Sequence, residues 1–130
     1  MTGIAEDTAA LSTHQRSTLR SRLTEDREAT AVLVDRLIAD IASFQDSVKD
    51  SVADDEHDPE GPTLAFERSQ STAILGQTRD HLSQIDDALE RLEDGSYGVC
   101  TTCNRPIPIA RLEARPYSTQ CVTCAGKGRR

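Results

Sequence analysis

The sequence predicts a mainly α protein: a long antiparallel two-helix coiled-coil hairpin followed by a small four-cysteine module. Three observations predict it. Two apolar runs recur with heptad steps, one on each side of a break rich in proline and glycine. All four cysteines stand in the last 31 residues, spaced C-x2-C-x17-C-x2-C. Only 36% of the 130 residues are apolar, 3% are aromatic and none is Trp, so no large globular core is expected.

Residues 1–11 are small and polar without periodicity, and a disordered N-terminus is expected there. The opening MTGIAEDTAALSTHQ has neither the basic nor the apolar stretch of a secretion signal. No apolar run approaches the ~20 residues of a membrane span. A cytoplasmic location and no membrane partner are therefore expected. Ser12 and Gln15 have the S-x-x-Q form of a capping box, which starts the first helix, 12–53. Neither glycine nor proline interrupts it. Its seam reads Thr30, Val34, Leu37, Ile41, Phe44 and Val48, with Leu19 and Leu23 as a weaker upstream extension.

Residues 54–62, Asp-Asp-Glu-His-Asp-Pro-Glu-Gly-Pro, end the first pattern, because two prolines and a glycine cannot continue a helix interior. The second helix, 63–94, carries the seam Leu75, Thr78, Leu82, Ile85, Leu89 and Leu92, and stops at Gly95, where a helix-terminating glycine is expected. The two apolar stripes are each other's nearest cover, so the chain folds back on itself. About 32 residues at 1.5 Å each give an arm of roughly 48 Å. Pairing between two chains is the competing arrangement. The short break disfavours it, and a monomer is expected.

Residues 95–124 form the cysteine module. A C-x2-C loop aims two sulfurs at one point, and two such loops make a tetrahedral zinc site from Cys100, Cys103, Cys121 and Cys124. Two disulfides or a redox C-x2-C are the other uses of this spacing. The first needs an oxidising compartment and the second a βαβ context, and the sequence points to neither. Four thiolates leave no open position for water, so one structural zinc is expected. Such an ion can contribute on the order of 10 kcal/mol to folding a small module. Its core is read as separate from the hairpin seam. Residues 125–130 are expected to be a flexible basic tail without a terminal helix.

The net charge of −7 is unevenly placed. Residues 1–94 carry 9 basic and 21 acidic side chains, whereas 95–130 carry 6 basic side chains and the single acid Glu113. An acidic arm repels nucleic acid, and only the head can meet phosphate. His14, His57 and His81 are scattered and read as solvated side chains. The acidic spacing at the break is not that of a calcium loop. No nucleophile–base pair, phosphate loop or open metal site is visible, so no enzyme is expected.

The residues around the cysteines make the layout specific. Tyr97-Gly98-Val99-Cys100-Thr101-Thr102-Cys103 resembles the YGxCxxC entry of the DksA/TraR C4-type zinc-finger family. Ile107-Pro108 and Arg111-Leu112-Glu113-Ala114-Arg115-Pro116 look like that family's I-x-x-x-RLEARP segment, and Cys121-Val122-Thr123-Cys124 closes it. The resemblance covers about residues 30–124. It implies a transcription regulator that binds RNA polymerase, inserting its hairpin into the secondary channel to alter initiation. The acting tip would be Asp54, Asp55, Asp58 and Glu60, although the family's D-x-x-D-x-A tip motif is not intact here. In alarmone-responsive members four basic positions contact guanosine tetraphosphate. Arg111 and Arg115 match two of them, while Gln84 and Ala125 stand at the others, which weighs against that ligand. The rival function is a zinc-finger adaptor or nucleic-acid-binding protein that uses its basic head. Sequence-specific DNA reading is not expected.

Overall fold

The computed structural model describes residues 11–54 and 61–127, with the side chains of 47–54 and 61–62 excepted. Two long helices pack together, α1 (Thr13–Asp54) and α2 (Gly61–Asp94), followed by two short ones, α3 (Ile109–Ala114) and α4 (Val122–Lys127). No strand lies among the described residues, which hold one isolated antiparallel bridge, Val99 with Pro106. Among them, no helix is long and apolar enough to cross a membrane.

The capping box forms as read. The Ser12 N–H donates to the Gln15 side-chain oxygen at 2.8 Å, and the Gln15 N–H donates to the Ser12 hydroxyl at 3.0 Å. Two orphan donors of the helix start are thus satisfied. Helix α2 begins at Gly61 rather than Thr63. Pro62 then falls in the first turn, where its missing N–H has no partner to lose. At the other end Gly95 adopts φ +86, and the N–H groups of Gly95, Ser96 and Tyr97 all donate to the Arg91 carbonyl at 3.0–3.1 Å. A Cβ at that φ is strained, which accounts for the glycine.

The chain divides into two compact units. One comprises Glu28–Leu82, which takes in the C-terminal part of α1 and the N-terminal part of α2. Thr30, Leu37, Leu75 and Thr78 are buried there, while Val34, Ile41, Phe44 and Leu82 are half-buried. The 3-and-4 stepping holds in this unit, although Val48 lies outside the described side chains. Two buried threonines, Thr30 and Thr78, stand among the apolar seam residues. The Thr78 hydroxyl satisfies itself by donating to the Ile74 carbonyl at 2.7 Å.

The other unit joins the residues up to Arg27 to Ser83–Arg130. Arg16 donates to the Leu92 carbonyl at 3.4 Å, and Arg27 pairs with Asp86, so the two helices run antiparallel. Leu19, Leu23, Ile85, Ala88 and Leu92 from these helices share one core with Tyr97, Cys100, Ile107, Leu112 and Cys124 of the cysteine module. This corrects the expectation of separate cores. Leu19 and Leu23, read as the weak end of the seam, are among the most deeply buried side chains at 2% and 1% exposure. The module packs on the helices and supplies cover that a hairpin alone lacks.

Candidate metal centre and finger

The module begins where α2 stops. Asp94 accepts from the Ser96 N–H and hydroxyl at 2.9 and 2.6 Å, and these bonds hold its carboxyl below the usual range. Arg91 reaches forward to donate to the Val99 carbonyl at 3.2 Å. Tyr97 is buried, and its hydroxyl donates to the Pro116 carbonyl at 2.6 Å. Burial pushes its pKa up to about 12, against the opposing pull of Arg22 and Arg91. Gly98, at φ +87, lies under Leu11 and Leu112: a Cβ there would stand 3.4 Å from the Leu11 Cδ1. Leu11 thus belongs to the packed structure, at the edge of the segment read as disordered, whose remainder lies outside the described residues.

The first cysteine pair sits in a tight turn. The Cys100 N–H donates to the Arg105 carbonyl at 2.8 Å, the Asn104 N–H to the Cys100 carbonyl at 2.9 Å, and the Ile107 N–H to the Gly98 carbonyl at 2.8 Å. Asn104 takes the left-handed φ of 60 that the turn needs, a conformation asparagine tolerates. The second pair follows the loop after α3 and runs into α4, with the Ala125 N–H donating to the Cys121 carbonyl at 2.9 Å. Helix α4 corrects the expectation of a flexible tail from residue 125: order extends to Lys127. The turn around the cysteines fixes its first residues, so six residues suffice.

The four sulfurs of Cys100, Cys103, Cys121 and Cys124 lie within 4.8 Å of one another, and those of Cys103 and Cys121 are 3.9 Å apart. A tetrahedral tetrathiolate zinc site, with bonds of about 2.3 Å, has sulfur–sulfur edges of about 3.8 Å. The donor set therefore fits zinc in both chemistry and spacing. Backbone N–H groups support the negative charge such a site carries. The Cys103 N–H, with those of Cys121 and Thr102, draws Cys100 down to about 6 against its burial. The Cys124 N–H lowers Cys121 in the same way. Cys124 is pushed up to about 12, first by its hydrogen bond with Cys121 and then by burial and the other thiols. Without a cation, the cluster resists its last negative charge, and a dication removes that conflict.

Arg111 and Arg115 line one hollow of about 320 Å³ with Val122, Ala125 and Gly126. The structure gives Arg111 a task that sequence reading missed: its Nε donates to the Gln120 carbonyl at 2.7 Å. Arg115 is exposed, and so is Gln84 on α2. Of the acidic tip, Asp54 ends α1 with its side chain undescribed. Asp55, Asp58 and Glu60 lie outside the described residues.

Residues 95–127 match the prokaryotic dksA/traR C4-type zinc finger. Over 65 residues the chain is 49% identical to the RNA polymerase-binding transcription factor DksA of Caulobacter vibrioides, covering 45% of this chain and 46% of that protein. It is 34% identical over 62 residues to the Escherichia coli protein of the same name, covering 46% and 41%. It is 35% identical over 68 residues to General stress protein 16O of Bacillus subtilis, covering 52% and 42%. The chain spans less than half the length of these curated relatives. The solved structure of transcription factor DksA2 from Pseudomonas aeruginosa shares the fold, with a TM-score of 0.74 at 22% identity over 90% of this chain and 84% of that one. The cysteine framework, its matched segment and these relatives agree in the finger: residues 95–127 are similar to the dksA/traR C4-type zinc finger.

Proposed function

We propose that this protein is a transcription regulator that binds RNA polymerase and inserts its two-helix arm, acidic tip first, into the secondary channel to modulate initiation. One observation carries the reading. The segment of 49% identity belongs to a relative named for binding RNA polymerase. The acidic composition of residues 1–94 supports it, since a channel leading to a catalytic magnesium ion and basic nucleotide-handling residues attracts carboxylates.

In this reading Cys100, Cys103, Cys121 and Cys124 hold one zinc ion per chain. When bound, zinc supplies a cross-link between the two halves of the finger and no open coordination position. Asp54, Asp55, Asp58 and Glu60 are the acting tip. Arg111 and Arg115 belong to the docking surface of the finger, and guanosine tetraphosphate is not required. The protein works as a monomer, in the cytoplasm with the polymerase, and not as an enzyme.

The test is capture of the purified zinc-loaded chain by immobilised core RNA polymerase, beside double-stranded DNA at physiological salt. Saturable binding to polymerase with none to DNA supports the reading. DNA binding without polymerase binding replaces it with the nucleic-acid adaptor.

A further inference from the structure

The two cysteine pairs are 17 residues apart in sequence, and something must hold them in register. Four hydrogen bonds contribute to this. The Thr101 N–H and hydroxyl both donate to the Thr119 carbonyl, at 2.9 and 3.2 Å. The Gln120 side-chain amide donates to the Thr102 hydroxyl at 2.8 Å, between the two cysteines of the first pair. The Gln120 carbonyl, one peptide before Cys121, accepts from the Arg111 Nε at 2.7 Å. Gln120 is therefore held from two directions: by α3 through its backbone and by the first cysteine turn through its side chain.

We infer that Arg111, acting through Gln120 on Thr102, is a positioning residue of the zinc site, setting how tightly the metal is retained. This rests on the zinc reading above. Arginine suits the task because its Nε–H lies in a rigid plane and aims at a single carbonyl, and Arg111 is half-buried. A carbonyl clamped next to a ligand fixes the direction from which that ligand's sulfur arrives. Groups of this kind typically change metal affinity 10–100-fold when removed. Arg115, four residues on, is exposed, and no hydrogen bond of its side chain holds either cysteine turn.

The experiment compares the parent with Arg111→Met, which keeps an apolar stem and removes the donors, with Thr102→Val, and with Arg115→Met. Zinc affinity is measured by competition with a chromogenic chelator, and sulfur geometry by the ligand-field bands of the Co²⁺-loaded proteins at saturating metal. Arg111→Met is expected to lose about 10–100-fold in affinity and to shift the Co²⁺ bands. Thr102→Val should lose less, the double variant less than the sum of the two, and Arg115→Met should match the parent. A merely structural role leaves the bands of the fully loaded protein unmoved. Parent-like affinity and bands in Arg111→Met overturn the inference, as does an equal loss in Arg115→Met. If Arg111→Met fails to fold, a parent-like affinity and spectrum in Thr102→Val overturns it. A parent that binds no zinc instead refutes the metal reading itself.

Discussion

Cys121 offers the sharpest test at the scale of single residues. In Cys121→Ser a hard hydroxyl replaces a soft thiolate, and zinc content should fall well below one ion per chain by elemental analysis. Because the finger shares its core with the ends of both long helices, helix content should fall as well, measured by circular dichroism. Full helicity after metal loss would mean that the helical ends are self-sufficient. Tyr97 gives a second readout. Tyr97→Phe removes the bond to the Pro116 carbonyl and should cost about 1 kcal/mol in denaturant unfolding. The phenol also sets a pH dependence. Its pKa in the folded chain is about 12, against 10.0 unperturbed, so the folded state favours the protonated form. Its contribution is complete below pH 10 and is lost as pH rises towards about 12. The parent should lose stability across that window more steeply than Tyr97→Phe, and identical slopes would exclude Tyr97 as the cause.

At the scale of elements, helix ends and seams follow rules that act within a few residues, so they were legible. The Ser12–Gln15 box, the Gly95 stop and the steps from Thr30 to Phe44 are all local patterns. The deep burial of Leu19 and Leu23 was not legible, because it depends on a finger lying about 70 or more residues away in sequence packing over them. The same holds for Arg111 and Gln120, whose contact joins the six-residue α3 to irregular backbone that carries no periodic signal. Helix α4 escaped notice because six residues with a glycine have weak intrinsic preference, and the cysteine turn supplies the start. Of the candidate site, the clustering of the four cysteines could be read from spacing, but the hydrogen bonds around them could not. The shared core makes a prediction of its own. Ile85→Ala on α2 and Leu112→Ala in the finger should each cost about 2–5 kcal/mol and shift one common unfolding transition. Two separate transitions, each moved by only one variant, would show the cores to be independent.

At the scale of the whole molecule, the account assigns binding and action to different parts of the chain. In the proposed function the finger and the helical ends packed on it are the docking body, and the acidic residues between α1 and α2 are the part that acts on the polymerase. Asp55→Asn, Asp58→Asn and Glu60→Gln together keep side-chain size and remove three charges. This variant should bind polymerase with only a modest loss, yet lose most of its effect on initiation in transcription with purified components. An unchanged effect would remove the tip from the mechanism. The central claim is that the arm enters the secondary channel, and cross-linking from the tip tests it most directly. A photoreactive amino acid at position 58, in the zinc-loaded chain mixed with core RNA polymerase, should cross-link to polymerase residues around the catalytic magnesium ion. Cross-links confined to the outer surface of the enzyme, or none while the protein remains bound, would contradict the account.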